Sequence, residues 1–387
     1  MNRFKFQAPT KLIAGPGTVN NLGAEMSALG AESVLIVSDQ GIVKAGLLAH
    51  VLAALAEAGI EAAVYDQVAP NPTDQTALDG AAEAKAVGAQ AIVALGGGSP
   101  IDAAKAMAVM ATNDGPFVDY CGAGADPWPN RPLPIIALPT TAGTGAEVSG
   151  AAMINLPQEG RKVDIFGRSI LPKVAIADAN LTLSLPPHLT AWTGIDALSH
   201  AVEAYLCIGA NPVSDAIAEG AIKLVANNIR RAYENGNDIA ARHEMLVASA
   251  MAVIAASGAA GLGVIHSLAQ TLGGFYDLPH GLTIAVCFAD GLAYNLPVVP
   301  QKCANISRML GTDTTGMSAE EAAQSVIPAI EQLNASLNVT DTFDSMKVTR
   351  SDVAKLADYA MLDGCTPTNP RPLAVEDFVA LFERGFD

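Results

Sequence analysis

The sequence predicts two domains: an α/β domain built on a parallel sheet over residues 1–180, and an all-helical domain over residues 181–387. Three observations lead there. A chain of 387 residues exceeds the size at which a single hydrophobic core keeps growing. Up to about residue 180, short apolar runs alternate with amphipathic helical stretches, the pattern of a parallel sheet covered by helices on both faces. At 179–190 (ANLTLSLPPHLT), Pro186 and Pro187 interrupt any continuous helix, and beyond them strand-like alternation nearly vanishes.

The elements follow in order. SVLIVSD (33–39) is a β-branched strand, and KAGLLAHVLAALAEAG a helix closed by Gly59. EAAVYDQV is the next strand and TDQTALDGAAEAKAVG the next helix. QAIVALGGG is a strand that breaks into glycines before a helix from Pro100, and LPIIALPTTAG is a further apolar run. In such a sheet, ligands belong at the carboxyl ends of the strands. The second half reads as helices: TAWTGIDALSHAVEAYL, PVSDAIAEGAIKLVANNIRRAYE, DIAARHEMLVASAMAVIAASGAA and SAEEAAQSVIPAIEQLNASL.

Composition narrows the partners. Half the residues are hydrophobic and 16% are charged, ample for large cores. A net charge of −17, with an isoelectric point near 4.6, argues against binding nucleic acid or an anionic membrane. The five cysteines are scattered, with no C-x-x-C pair, which fits reduced thiols in the cytoplasm. The N-terminal stretch lacks an uninterrupted apolar run of the signal-peptide kind, and no apolar run of membrane-spanning length is free of charges or turn residues.

Two loops and one residue set carry the chemistry. In AIVALGGGSPIDAAKA, the strand 91–95 runs into Gly96, Gly97 and Gly98. Ser99 stands as an N-cap, Pro100 at the first helical position and Asp102 as a capping acid. Loop N–H groups and the helix dipole then face a diphosphate. PTTAGTGAEVS (139–149) repeats the theme, with Thr140, Thr141 and Thr144 offering hydroxyls to ribose and phosphate oxygens. Lys162 can neutralise part of an anionic cofactor, and Asp39, after its strand, suits a ribose and repels a 2′-phosphate. An ordinary turn aspartate explains Asp39 equally well. In the second half, Asp196 and His200 share a helix face at i, i+4, and His266 and His280 follow. One carboxylate with neutral imidazoles suits a divalent first-row ion such as Fe(II) or Zn(II).

Taken together, GGGSPIDAAK, PTTAGTGAEVS, GIDALSHAVEAY, HSLAQTLGGFYDLPHG and TNPRP make the chain resemble the iron-containing (group III) alcohol dehydrogenase family over nearly its whole length. The resemblance implies a Rossmann-like NAD-binding domain, then a helical metal- and substrate-binding domain, with the metal in the cleft between them. It implies NAD(P)-linked interconversion of small alcohols and carbonyl compounds, NAD being favoured over NADP and Fe(II) over Zn(II). A homodimer or larger homo-oligomer is implied as well. By the same resemblance, Asp196, His200, His266 and His280 match metal ligands. Asp39, Asn71, Gly97, Gly98, Ser99, Asp102, Thr140, Thr141, Thr144 and Lys162 match the cofactor site, and Cys365 more loosely a position near the substrate. One departure stands out. Gln270 occupies the place of a second histidine that the family often uses as a proton relay, and glutamine does not titrate in the useful range. Two other readings of the same fold are a dehydroquinate-synthase-like lyase or cyclase and a catalytically inactive NAD- and metal-binding protein.

Overall fold

The structure is a computed structural model describing residues 3–158, 161–259 and 261–386. It divides into two compact units, Ala8–Leu185 and Met1–Gln7 with Pro186–Asp387. The boundary expected at residue 180 thus falls five residues later. Residues 3–7 go with the helical unit, where the Phe6 ring lies against Gly258.

In the first unit, six parallel strands form one sheet: β1 (Lys11–Ala14), β2 (Ser33–Val37), β3 (Glu61–Tyr65), β4 (Ala91–Gly96), β5 (Ile135–Pro139) and, last in the chain, β8 (Val174–Ala177). Their spatial order is β1-β8-β5-β4-β2-β3. Helices α1 (Leu22–Ala28), α2 (Gln40–Lys44), α3 (Leu47–Glu57), α4 (Asp74–Ala86) and α5 (Gly98–Met110) connect the strands. Alternation of period two divides the buried strand residues between two cores. Val34, Ile36, Val93, Leu95, Ile136 and Leu138 pack with Leu22, Met26, Val51 and Leu55 on one face. Leu35, Val37, Ile92, Ala94, Ile135 and Ala137 pack with Ile101, Ala104, Met107 and Ala108 on the other.

From β2 the chain proceeds to β3 on one side of the sheet, and then to β4 on the other. The strand order therefore reverses at the neighbouring carboxyl ends of β2 and β4, the place where open α/β sheets bind ligands. Asp39 and the glycine loop emerge there.

Sequence patterning missed β1 and β8, which are only four residues each. It also missed an antiparallel hairpin of β6 (Ala151–Leu156) and β7 (Arg161–Phe166). One expectation needs correction. Helix α5 starts at Gly98 rather than Pro100, Gly97 takes the cap position, and no side chain caps it. Glycine tolerates that position, so Ser99 falls inside the first turn and is not the N-cap.

Among its described residues, the second unit is wholly helical. It contains α6 (Pro187–Leu206), α7 (Pro212–Glu234), α8 (Ile239–Ala259), α9 (Val264–Tyr276), α10 (His280–Asn295), α11 (Pro300–Met309), α12 (Ala319–Gln324), α13 (Val326–Ser336), α14 (Val353–Met361) and α15 (Val375–Arg384). The expected end of α8 at Ala260 lies outside the described residues. The single helix expected from SAEEAAQSVIPAIEQLNASL is two, α12 and α13. They meet at Ser325, shortly before Pro328, whose ring nitrogen cannot donate to the preceding turn. By length and composition α8 could cross a membrane, but 61% of its most apolar window is buried inside the protein, as in a core helix.

Candidate metal and cofactor sites

Pro186 and Pro187 start α6, Pro187 contributing the fixed φ that suits a first turn. Asp196, His200 and Glu203 then recur at i, i+4 and i+7 and face one way. All three are buried. His266 lies in the first turn of α9. That helix ends at Asp277, whose φ of 52° turns the chain left-handed and into His280 at the start of α10.

These elements bring the four candidate ligands together. Asp196, His200 and His266 each offer a donor atom within 4.8 Å of the others. His266 Nε2 stands 3.2 Å from His200 Nε2 and 3.8 Å from Asp196 Oδ1. His280 Nε2 reaches the same carboxylate oxygen at 3.6 Å. Its side chain is 30% exposed against 1–11% for the other two imidazoles, so it is the candidate ligand on the open side.

The donor set fits a divalent ion. Asp196 Oδ1 is buried and has no hydrogen-bond partner among the described residues, although three imidazoles surround it. An orphaned buried carboxylate oxygen is costly unless something cationic meets it. Donors about 2.0–2.1 Å from a tetrahedral ion stand roughly 3.4 Å apart, close to the spacings found here.

Partners behind the ligands fix the imidazoles. His200 Nδ1 donates to the Asp196 carbonyl at 2.9 Å, which turns Nε2 toward the cluster. His266 Nδ1 meets Glu203 Oε2 at 2.5 Å. Glu203 also accepts the Ile265 N–H at 2.7 Å and the His266 N–H at 3.3 Å, while Asn369 Oδ1 accepts the Val264 N–H at 3.0 Å. The two side chains thus satisfy the exposed donors of the α9 N-terminus. Burial, with nearby His200, pushes the His266 imidazole down to about 3, keeping it neutral as a ligand must be. Burial pushes the Glu203 carboxyl up to about 8, against the backbone N–H bonds that lower it.

Sequence reasoning missed Glu203 and Asn369, although both lie inside motifs already singled out. Glu203 was detectable, being one turn beyond His200 on the ligand-bearing face.

Gln270 and Cys365, 95 residues apart, do meet. Gln270 Nε2 points to Cys365 Sγ at 3.8 Å, one helical turn beyond His266. The Cys365 N–H donates to Asp363, which also accepts from Ser267 Oγ.

The cofactor candidates form two groups in the first unit. In one, the loop of Gly97 and Gly98 lies against the threonine loop. A Cβ on Gly98 would stand 2.9 Å from Thr144 Cγ2, and one on Gly97 3.2 Å from Thr141, so a side chain at either position would have to push the threonine loop aside. Thr140 is buried beside them. In the other, Lys162 Nζ donates to Asn71 Oδ1 at 3.3 Å across 91 residues of chain. The hairpin register pairs Lys162 with Asn155, and the Asn155 N–H donates to Pro72 O.

Two residues have other partners. Asp39 caps α2, accepting the Ile42 N–H at 2.9 Å. Asp102 is not a capping acid; it accepts from Lys105 Nζ at 3.2 Å and from the Met153 N–H at 3.0 Å, tying α5 to β6. Lys105 is fully buried and also donates to Ala151 O at 2.6 Å. The buried Glu147, whose carboxyl burial pushes up to about 7, interacts electrostatically with Lys105. None of this buried charge cluster was anticipated beyond Asp102.

Known proteins share this architecture. The family model for iron-containing alcohol dehydrogenases matches residues 9–179, and that for the C-terminal part of the same family matches 190–386. The 1,3-propanediol dehydrogenase of Klebsiella pneumoniae is 38% identical over 99% of both chains. The NAD-dependent methanol dehydrogenase of Bacillus methanolicus is 36% identical over 98% of this chain and 99% of the relative. The crystal structure of a 1,3-propanediol oxidoreductase superposes with a TM-score of 0.96 at 37% identity, covering 100% of each chain.

Proposed function

This chain belongs to the iron-containing alcohol dehydrogenase family, and on that premise we propose which of its residues carry the NAD-linked interconversion of small alcohols with aldehydes or ketones. The reaction is a hydride transfer between nicotinamide and a carbonyl carbon, for which bound NAD supplies the hydride chemistry and a divalent ion Lewis acidity. Asp196, His200 and His266, with His280 beside the same carboxylate oxygen, would hold the ion, Fe(II) by family and Zn(II) by an equally suitable donor set. The observation that carries this is the buried Asp196 oxygen, without a hydrogen-bond partner and ringed by imidazole nitrogens.

The other residues bind and orient. Glu203 keeps His266 in one tautomer, with its lone pair turned to the ion. The first turn of α5 presents the N–H groups of Gly98 and Ser99 to the diphosphate, with Thr140, Thr141 and Thr144 alongside. Lys162, steadied by Asn71, supplies positive charge to an otherwise acidic chain. Asp39 favours NAD by repelling a 2′-phosphate. Asp102 acts on the cofactor site by fixing β6 to α5. Gln270 and Cys365, which meet at 3.8 Å, would stand beside the substrate in this reading; the Gln270 amide can hold a water but does not titrate, so it would not itself relay the proton.

The substrate in this reading is a small uncharged alcohol or aldehyde. The three basic side chains that a multiply charged substrate would draw on first are engaged elsewhere: Lys223 pairs with Glu219, Arg231 with Asp238, and Arg230 donates to Ser336. The setting we propose is the cytoplasm, as a homodimer or larger homo-oligomer. The test is NADH oxidation across a panel of aldehydes and ketones, with metal-free protein reloaded separately with Fe(II) and with Zn(II). Turnover with either ion supports the reading. Silence with both, across the whole panel, ends it.

A further inference from the structure

We propose that Trp192 is a specificity-determining residue, an indole wall beside the metal ligands that limits the enzyme to short, unbranched substrates. The inference rests on the alcohol dehydrogenase reading above. His188, Trp192, Asp196 and His200 recur every four residues along α6, a stripe that drifts only about 40° per step on a helix of 3.6 residues per turn. Where the stripe reaches Asp196 it faces His280, with Nε2 at 3.6 Å. One turn earlier it faces the next residue of α10. A Cβ built on Gly281 would stand 2.5 Å from the Trp192 carbonyl oxygen and 3.1 Å from Trp192 Cβ. The start of α10 therefore meets α6 at two successive places, ligand against ligand and glycine against tryptophan.

Two features make the indole a wall. It is braced: the missing side chain of Gly281 lets the start of α10 pack closely against the Trp192 backbone and Cβ, and the exposed His188 ring meets the indole edge-on, with centroids 5.0 Å apart at 70°. It is also only partly buried, whereas its α6 neighbours Ile195, Leu198, Tyr205 and Leu206 are buried core residues. A large apolar ring held partly open one turn from a polar donor cluster has the composition of a ligand site, where apolar walls surround a few polar groups. With the substrate oxygen directed at the donor cluster, the braced ring takes the space that a longer or branched carbon chain requires.

The test uses the graded series Trp192→Phe, Trp192→Leu and Trp192→Ala in the metal-loaded, full-length enzyme, with NADH and straight-chain aldehydes from ethanal to octanal. The ratio of kcat/KM for hexanal to that for propanal should climb through the series, by at least about 10-fold in the alanine variant, the scale on which apolar pockets discriminate chain length. Bound metal should stay at the wild-type level in all three. A second readout needs no turnover. The chain has two tryptophans, so in Trp128→Phe the indole emission belongs to Trp192. Titrating metal-free protein with the paramagnetic ion Co(II) should quench that emission, and should not when His200→Ala is added. A flat hexanal-to-propanal ratio overturns the proposal. So does metal loss that tracks the activity loss, because Trp192 would then only support His280. Emission indifferent to Co(II) overturns it too. Wild-type activity on short aldehydes combined with any of these sinks the Trp192 inference alone; a wild type inactive on every aldehyde removes the alcohol dehydrogenase reading and this inference with it.

Discussion

The two units build their sites from different parts of the chain. In the helical unit the candidate ligands are side chains on helix faces, fixed by Glu203 and the Asp196 carbonyl and mostly buried. In the α/β unit the candidate cofactor contacts sit on loops at strand ends, where the glycine loop and an uncapped helix N-terminus offer backbone N–H groups. The difference teaches where each site is fragile. A cluster of buried donors around one carboxylate oxygen fails all at once when a member is removed, because the others lose their common partner. A backbone cradle, with Lys162 and Asn71 as the separate side-chain contacts we propose for the same cofactor, should lose affinity in increments.

The sharpest way to break the comparison is in the helical unit. His266→Ala removes the most buried imidazole of the set, leaving Asp196 Oδ1 with fewer partners in a buried site. We expect metal content, read by elemental analysis after dialysis, to fall to background and turnover to drop by at least about 10³-fold. Near-normal loading would show that the four side chains are not the ligand set. Glu203→Gln is the milder probe. It keeps the shape but places an amide donor where His266 Nδ1 also donates, so metal affinity should weaken by about 10–100-fold. Unchanged affinity in a chelator competition would reduce Glu203 to a cap for α9.

How much could be read from the sequence also divides between the units. The ligand cluster was legible because i, i+4 spacing on a helix translates directly into a shared face, as it does for Asp196 and His200. The same arithmetic extended one step would have found Glu203. Asn369 was not legible in that way, since its contact with Val264 spans 105 residues. In the α/β unit, strand and helix alternation gave the long buried strands, but β1 and β8 are too short to show a period, and the β6–β7 hairpin went unread although Pro157 and Gly160 stand between its strands. The helix start at Ser99 and Pro100 was misplaced because two residues with strong N-terminal preferences sit inside a first turn that glycine begins. The Lys105–Asp102–Glu147 cluster was hidden because charged residues on a helix ordinarily face water. Here they face β6 and the threonine loop.

Lys162→Ala tests whether the loop site is as incremental as this contrast implies. A charge-assisted contact contributes about 1.5–3 kcal/mol, so KM for NADH should rise roughly 10- to 100-fold while kcat and bound metal stay near wild type. A collapse of kcat instead would mean that the two sites are not separable in this way. Gln270→His sharpens the helical side with a smaller effect. Introducing an imidazole one turn from His266 supplies a titratable group near pH 6.5, so the pH–rate profile should gain an inflection in that region with the metal content unaltered. A superimposable profile would count against any proton-handling role at this position.

The smallest effect on turnover lies in the buried charge cluster beneath the loops, where the change is in stability rather than rate. The folded Glu147 carboxyl is raised to about 7 by burial, against 4.5 for the free group, with Lys105 opposing that rise. Between those two values the folded chain keeps a proton that the unfolded chain has released. The contribution is therefore complete below about pH 4.5 and is lost as the pH climbs through 7. Replacing Glu147 with glutamine fixes the neutral form, so the variant should escape that decline. Asp102 remains to pair with Lys105 at 3.2 Å, which keeps the lysine from being stranded. Chemical unfolding from pH 5 to 8 should show the wild type losing stability relative to Glu147→Gln, by roughly 2–3 kcal/mol, with KM for NADH little changed. If the two curves stay parallel, Glu147 remains ionised in the folded chain and the attraction of Lys105 outweighs its burial. The loop site would then depend on a buried ion pair much as the helical unit depends on Asp196.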